Sequence, residues 1–546
     1  MKTVGFTPYN DFKQRLLEIA VGSMSLVFFI AIIVISYFSV AVAAYILVGY
    51  VLWWLTKIVG YSNRLIRAYW RMRLSEKINW RQKLADLNDV DKAQDELNGS
   101  ESKGYMDNRA DKYYLKYLQN AKANQVNILS PDDIYQAVIV AMYNEDPTIL
   151  ESTLEAIKNS NYDHGHTILI VAHEERGGKE LSGKVRQIVS RYEGDFLLAI
   201  AIEHPADLPG EAKAKAGNIT YAAKWLTTYI TGSGLDPEQV LVTTLDVDNR
   251  PSPNYLAEVA YRYAITPGRI HNSYQPIPMF FNNIWDAPAL MRVIAASNSF
   301  WVLMEALRPH RLRNFSSHAQ SLQTLLDTNY WNVASIVEDG HQYWRTFFAY
   351  RGNHQVLPIF SPVYQDAVLV DGYFKTFKAQ FMQLRRWAWG VADTPFVIRE
   401  SWHAKDIPAW TRIISCTRQV EGYFSWVVAP IILAVGGWLP LIINTQASES
   451  VLAIQLPTVI SWILTGALLG LIGPIVTNIM SMPPKPARYS RWRSLMMVLQ
   501  WALVPVTLIV FGSLAALNAQ VRLLFGRYLE SFNVTEKKRV SDPLSI

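Results

Sequence analysis

The chain of 546 residues is 50% hydrophobic and 18% charged, too apolar for an ordinary soluble protein and too charged for a pure transporter. A single cysteine, Cys416, excludes an intrachain disulfide and a CxxC-type zinc site. The net charge of +6 sits mostly beside apolar runs, so lipid headgroups account for it and no nucleic-acid partner is expected.

Residues 19–56 contain no charged side chain. As one helix they would reach ~57 Å at 1.5 Å per residue, far more than the ~30 Å hydrocarbon core. Two spans joined by a tight turn near residues 36–39 are predicted. A signal peptide cut at Ala41-Val42-Ala43 would need an apolar core of only ~7–15 residues, which this run exceeds. Lys13 and Arg15 before the hairpin, and Lys57, Arg64, Arg67 and Arg71 after it, place both ends in the cytosol. The predicted units are a hairpin over 1–60, a membrane-proximal helix and polar connector over 61–130, a folded domain over 131–395, an interfacial helix over 396–420, transmembrane helices over 421–520 and an amphipathic basic tail over 521–546.

The folded domain alternates strand and helix. Strands are predicted over 137–142, 167–172, 197–202 and 239–245, with helices over 148–160 and 212–225. Thr148 and Glu151 have capping-box spacing after Pro147. A mostly parallel α/β sheet follows. In such a sheet ligands bind beyond the carboxyl ends of the strands, where Tyr143-Asn144-Glu145 and Asp246-Val247-Asp248 both fall.

Three further apolar runs cover 422–443, 459–480 and 494–515, and the loop over 484–493 carries Lys485, Arg488, Arg491 and Arg493. That loop reads as cytosolic. Five spans would then leave the basic Lys537-Lys538-Arg539 outside, so either the last segment is broken or re-entrant at Pro505, or the tail is an exception. The residues after it have the pattern of an amphipathic helix on the membrane surface.

Three motifs carry chemistry. Asp246 and Asp248 offer hard oxygen ligands to Mg²⁺ or Mn²⁺, which a nucleotide diphosphate leaving group needs for charge neutralisation; alone, such a turn is usually a solvated loop. Glu338-Asp339 before Gly340 could simply end a strand, or could supply Asp339 as a general base with Glu338 raising its proton affinity. Gln383, Arg386 and Trp387 share one helical face, suited to a diphosphate and to a stacked sugar or lipid headgroup; an interfacial helix with snorkelling arginines would look similar.

In this order the motifs resemble membrane-embedded family 2 glycosyltransferases, the cellulose, chitin and hyaluronan synthase superfamily. The resemblance spans residues 134–395 by motif and the flanking helices by architecture. It implies a GT-A type, Rossmann-like cytosolic domain inserted between N- and C-terminal transmembrane helices, in a multi-pass protein with the plasma membrane as its expected location. It implies nucleotide-sugar contacts from Tyr143, Asn144, Glu145, Lys215, Asp246 and Arg386, metal ligation by Asp246 and Asp248, catalysis by Asp339 with Glu338, and acceptor contacts from Gln383 and Trp387. Lys215-Ala216-Gly217-Asn218 and the run from Gln275 to Asn282 resemble further family segments. Departures are Val337 where the family has Thr, His173-Glu174-Glu175 in place of its base-contacting acids, and Phe315-Ser316-Ser317-His318-Ala319 in place of the acceptor-side Phe-x-Cys-Gly-Ser, which argues against cellulose. His318 is expected to be an ordinary polar histidine rather than a reacting group.

The leading expectation is an inverting, metal-dependent transferase taking a nucleotide diphosphate sugar, UDP-linked by preference, to a polysaccharide or membrane-lipid acceptor. Processive synthesis, with an accessory export subunit, is one form of it. The alternative is a catalytically inactive, nucleotide-sugar-sensing membrane scaffold. A glycoside hydrolase would leave the basic helix and Asp246-Val247-Asp248 without purpose.

Overall fold

A computed structural model describes residues 11–99, 112, 115–116, 118–444 and 450–529. The basic Lys537-Lys538-Arg539 and most of the predicted tail lie outside the described residues. Among the described residues eight strands form the central sheet: β1 (Tyr135–Met142), β2 (Thr167–Glu174), β3 (Leu198–His204), β4 (Val240–Asp246), β5 (Arg250–Pro251), β6 (Ser273–Met279), β7 (His318–Ser321) and β8 (Val356–Tyr364). Their spatial order is β3-β2-β1-β4-β7-β6-β8-β5. The first four are mutually parallel, and β7 runs antiparallel to both β4 and β6. The sheet is therefore more mixed than the sequence predicts, because β5 and β7 are too short to show a period.

Both sheet faces are buried, which is why β1, β2 and β4 read as continuous apolar runs. On one face Val138 and Val140 join a core with Leu150, Leu154, Val185 and the helix Tyr255–Ile265. On the other, Ala137 and Ile139 pack with Ile219, Ala223 and Leu226 of the helix Lys215–Gly232. The chain turns from β1 to β2 on one side and returns to place β4 on the other, so a crevice opens between the carboxyl ends of β1 and β4. Asn218 pins that edge: its buried Nδ2 donates to Met142 O at 3.2 Å and to Ala172 O at 2.8 Å. The helix Pro147–Lys158 starts one residue earlier than the spacing predicts, with Asp146 rather than Thr148 as its cap; Pro147 fills the first helical position, and Asp146 accepts from Thr148 N at 2.9 Å.

Among the described residues five helices are long and apolar enough to cross a membrane: Phe12–Phe38, Val40–Lys77, Ala409–Ile443, Val451–Ser481 and Arg491–Leu524. The first two are separated only by Ser39, whose extended backbone ends one helix while its Oγ caps the next. No break falls at residue 60. Val40–Lys77 continues into the sheet domain, where Ser75 Oγ donates to the buried Glu258 at 2.7 Å. Residues 78–90, expected as part of a solvated connector, instead cover the sheet core: Trp80, Leu84 and Leu87 are buried, and Trp80 packs 5.3 Å from Tyr261.

The last helix behaves differently from the others. At its start Arg493 Nη2 donates to Trp285 O at 2.7 Å, and Gln500 Oε1 accepts from Arg292 Nε at 2.6 Å. A π-helical turn over Thr507–Ser513 follows Pro505, as expected where proline removes a donor from the ladder. Phe511 meets Phe377 edge-on at 6.0 Å. At the far end Arg15 Nη1 donates to Leu523 O at 2.8 Å, and Arg399 pairs with Asp11 at 2.8 Å. Both ends of this helix are thus tied to residues at the sheet-domain side. Residues 521–524, expected to begin a surface helix, are its final turn, packed so closely on the first helix that a Cβ on Gly22 would stand 2.6 Å from Leu524 N.

Two outcomes follow from these contacts. A tag appended to the C-terminus should be protease-accessible from the same side as the sheet domain in sealed vesicles. Asn218→Ala, which strands two strand-end carbonyls, should cost about 1–3 kcal/mol, read as a lower unfolding midpoint in detergent.

Candidate active site

The register pairs Ala141 of β1 with Asp246 of β4, so residues 143–145 leave the sheet beside Val247 and Asp248. Tyr143 N donates to Glu145 Oε2 at 2.8 Å, closing a tight turn. The Tyr143 ring is covered by the Arg176 guanidinium at 5.1 Å, and Arg176 in turn pairs with the buried Glu174. Glu175 accepts from Ala206 N at 2.9 Å, and His173 is buried below it. His173, Glu174 and Glu175 therefore all stand at the end of β2.

At the β4 end a charged cluster is assembled from four segments. The Lys215 ammonium, buried at the start of its helix, donates to Asp246 Oδ1 at 2.7 Å and to Ser316 O at 3.0 Å. Burial pulls its pKa down, but Asp246, Glu338 and Asp339 outweigh that and hold it above the ordinary value. Glu338 and Asp339 open the helix Glu338–Ala349, so they begin a helix rather than end a strand. Burial, and then the Asp339 charge, push Glu338 up to about 7. Asp339 is also raised by burial, against the Gly340 N–H that its Oδ1 accepts at 2.6 Å and against Lys215. Arg386 is lowered by burial and held charged by Asp246, Glu338 and Asp339.

The other predicted residues stand around this centre. Asp248 is buried, and its Oδ2 accepts from Asp366 N at 2.9 Å. Gln383 is buried with its Oε1 accepting from Gln380 at 3.0 Å, and half-buried Trp387 lies 6.0 Å from Phe280. Asn144 follows the β1 turn at the crevice edge. The structure thus brings Lys215, Asp246, Glu338, Asp339 and Arg386 into one electrostatic group, and sets Tyr143 to Glu145 and Trp387 at its margins.

Two motif segments turn out to be clamps. Gln275 accepts from Phe315 N at 2.8 Å and donates to Ser317 O at 2.8 Å, while Asn282 Nδ2 donates to Asp248 O at 3.1 Å. A Cβ on Gly217 would stand 2.5 Å from Glu211 Oε2 and 3.3 Å from His204 Cε1, so a side chain there would have to displace the Glu211–His204 pair. His318 is buried, with Nδ1 at 2.9 Å from Phe315 O and Nε2 accepting from Trp331 Nε1 at 3.4 Å. Burial lowers its pKa to about 4, which favours the neutral ring. Sequence reasoning missed Asp366, although it follows β8 as Asp248 follows β4, and it missed the buried pair His341–Asp393 at 2.9 Å, which ties the Glu338–Ala349 helix to Asp393–His403.

Among the described residues no group of three or more His, Cys, Asp or Glu forms a ready metal cage. The donor set nevertheless fits a hard divalent ion. Lys215 and Arg386 face Asp246, Glu338 and Asp339, with Asp248 two residues on. The carboxylates outnumber the cations, and such ions take several ligands from substrate phosphate and water.

No protein-family model matches the chain, and no curated protein matches it. Among solved structures it is similar to a mannosyltransferase, PcManGT from Pyrobaculum calidifontis, in complex with GDP-Man and Mn²⁺, at 15% identity, covering 80% of this chain and 100% of that one with a TM-score of 0.40. It is also similar to S. aureus TarS residues 1–349 in complex with UDP, at 14% identity, 74% and 95% coverage and a TM-score of 0.32.

The raised Glu338 pKa fixes a pH dependence. Between the ordinary value of 4.5 and about 7 the folded chain binds more protons than the unfolded one, so stability falls as pH rises through that window. Glu338→Gln should flatten that slope in unfolding midpoints measured across the same range.

Proposed function

We propose that the chain is a membrane-embedded family 2 glycosyltransferase of GT-A type that transfers a sugar, with inversion, from a nucleotide diphosphate sugar to a polysaccharide or membrane-lipid acceptor. The observation that carries this reading is the convergence of Lys215, Asp246, Glu338, Asp339 and Arg386 at the strand ends, where an α/β sheet binds ligands. Five apolar helices, one of them continuous with the sheet domain, support a membrane-held acceptor.

In this reading the acceptor hydroxyl attacks the anomeric carbon on the face opposite the leaving group. Asp339 takes the hydroxyl proton as the new C–O bond forms. The bond to the nucleotide diphosphate breaks and its electron pair passes to the phosphate oxygen, where Arg386 and Lys215 meet the developing charge. Asp246 and Asp248 would hold a Mg²⁺ or Mn²⁺ ion, which supplies further neutralisation of the diphosphate. Burial raises the proton affinity of Asp339, which suits a base, and Glu338 shares its proton equilibrium beside it. Tyr143, Asn144 and Glu145 border the nucleotide side, UDP being the preferred donor nucleotide. Gln383 positions the helix from which Trp387 offers its face to the acceptor. No covalent enzyme intermediate is required.

The topology proposed with it puts the sheet domain in the cytosol. The segment Arg491–Leu524 stays in the cytosolic leaflet, which gives four crossings and removes the parity conflict of the basic tail.

Purified protein in nanodiscs, given a panel of nucleotide sugars and Mg²⁺ or Mn²⁺, should release nucleotide diphosphate. Asp339→Asn should lower that rate by about 10²–10⁴-fold, the usual worth of a general base, and chelation should stop it until metal is restored. Donor binding without release under any of these conditions would instead favour the sensing scaffold.

A further inference from the structure

A second charged assembly lies where the helices leave the apolar layer. A cavity of about 400 Å³ opens there, walled by Trp53, Ile398, Cys416, Val420 and Phe424, with Glu421 at its polar edge. This volume falls within the range of small-molecule sites. Glu421 receives the Lys57 ammonium at 2.6 Å, and Arg311 Nη2 stands 3.7 Å from its other oxygen. The same ammonium lies 3.6 Å above the Trp53 ring. Arg418 donates to His310 O at 3.1 Å and adds its field to those of Arg311 and Arg313. Glu305 faces Arg308, Arg311, Arg64 and Arg313.

The assembly sets six cations, Lys57, Arg64, Arg308, Arg311, Arg313 and Arg418, against two carboxylates, Glu305 and Glu421. Lys57 and Arg311 are half-buried and share the single carboxylate of Glu421, so a further anion reaching them gains charge-assisted contacts. Lys57 and Arg311 meet at Glu421 on the cavity edge, and Arg418 is next in sequence to the cavity-lining Thr417, a placement that a solvated basic rim does not require. We propose that this cavity binds an anionic lipid: one hydrocarbon chain lies along Trp53, Val420 and Phe424, and the phosphate is held by Lys57, Arg311 and Arg418. Basic pockets between membrane helices recognise phosphate headgroups in this way. The site depends on membrane insertion but not on sugar transfer, so its test reads binding alone.

Cys416, the single cysteine of the sequence, stands in the cavity wall and reports occupancy. The full chain in phosphatidylcholine nanodiscs is modified with N-ethylmaleimide, with and without added phosphatidylglycerol or polyprenyl phosphate. An anionic lipid should slow modification several-fold. Protection by phosphatidylglycerol identifies a bulk membrane lipid as the ligand, and protection by polyprenyl phosphate alone identifies a carrier lipid. Arg311→Gln with Arg418→Gln should abolish the protection, while the Lys pair at the same positions should keep it. Val420→Trp, which fills the cavity without altering charge, should also erase the lipid-dependent difference. Equal rates in neutral and anionic discs, or protection that survives the Gln pair, overturns the proposal.

Discussion

The buried ammonium of Lys215 is the constraint around which the site is organised. A charge removed from water is tolerated only with close partners, and this one has Asp246 at 2.7 Å and the Ser316 carbonyl at 3.0 Å. Satisfying it requires the end of β4, the loop before β7 and the start of its own helix to meet at one point. Asn218, one turn along that helix, fastens the same corner to β1 and β2. The converse also holds, since Asp246, Glu338 and Asp339 crowd together only because Lys215 and Arg386 offset part of their repulsion. Burial, with the remaining repulsion second to it, appears as the raised proton affinity of Glu338 and Asp339.

Linking this corner to the membrane needs few contacts. Gly390, just after the helix that carries Arg386, lies so near Tyr423 of a membrane helix that a Cβ would stand 2.1 Å from its hydroxyl. His341, two residues beyond Asp339, bonds to Asp393 at 2.9 Å on the following helix. On the other flank the helix Val40–Lys77 passes from lipid to sheet without interruption and ends with Ser75 on Glu258, which also accepts from Phe360 N and Ser361 N. Packed, hydrogen-bonded contacts therefore run from the apolar helices to the Glu338 helix and to β8.

Local patterns made much of this visible in the sequence. The continuous runs of β1, β2 and β4, the hairpin break at Ser39 and the shared face of Gln383, Arg386 and Trp387 all follow from period and composition. What could not be read depends on partners distant in the chain. Trp80 and Leu84 sit in a charged stretch and look solvated until Tyr261 is brought against them. The helix Arg491–Leu524 has the composition of a span, and only its ties to Trp285, Arg292 and Arg15 show where its ends lie. Asp366 was hidden because it donates its backbone N–H, not its side chain, to Asp248.

The same distinction accounts for the departures from the family pattern. Lys215 is received by the carbonyl of Ser316, a contact that any side chain at that position leaves in place. Ser317 Oγ accepts from Asn249 at 2.5 Å and Gln365 at 3.2 Å, so that hydroxyl braces the loop rather than facing the reacting centre. Val337 stands at the cap of the Glu338 helix and offers no side-chain oxygen, but its own N–H is taken by Ser335 Oγ at 3.2 Å. Losing a cap usually costs ~1 kcal/mol, an amount a buried helix start can absorb when neighbouring groups accept its donors. At these positions the contacts run through backbone groups or brace loops, and the charged side chains of Lys215, Asp246, Glu338, Asp339 and Arg386 stand together beside them.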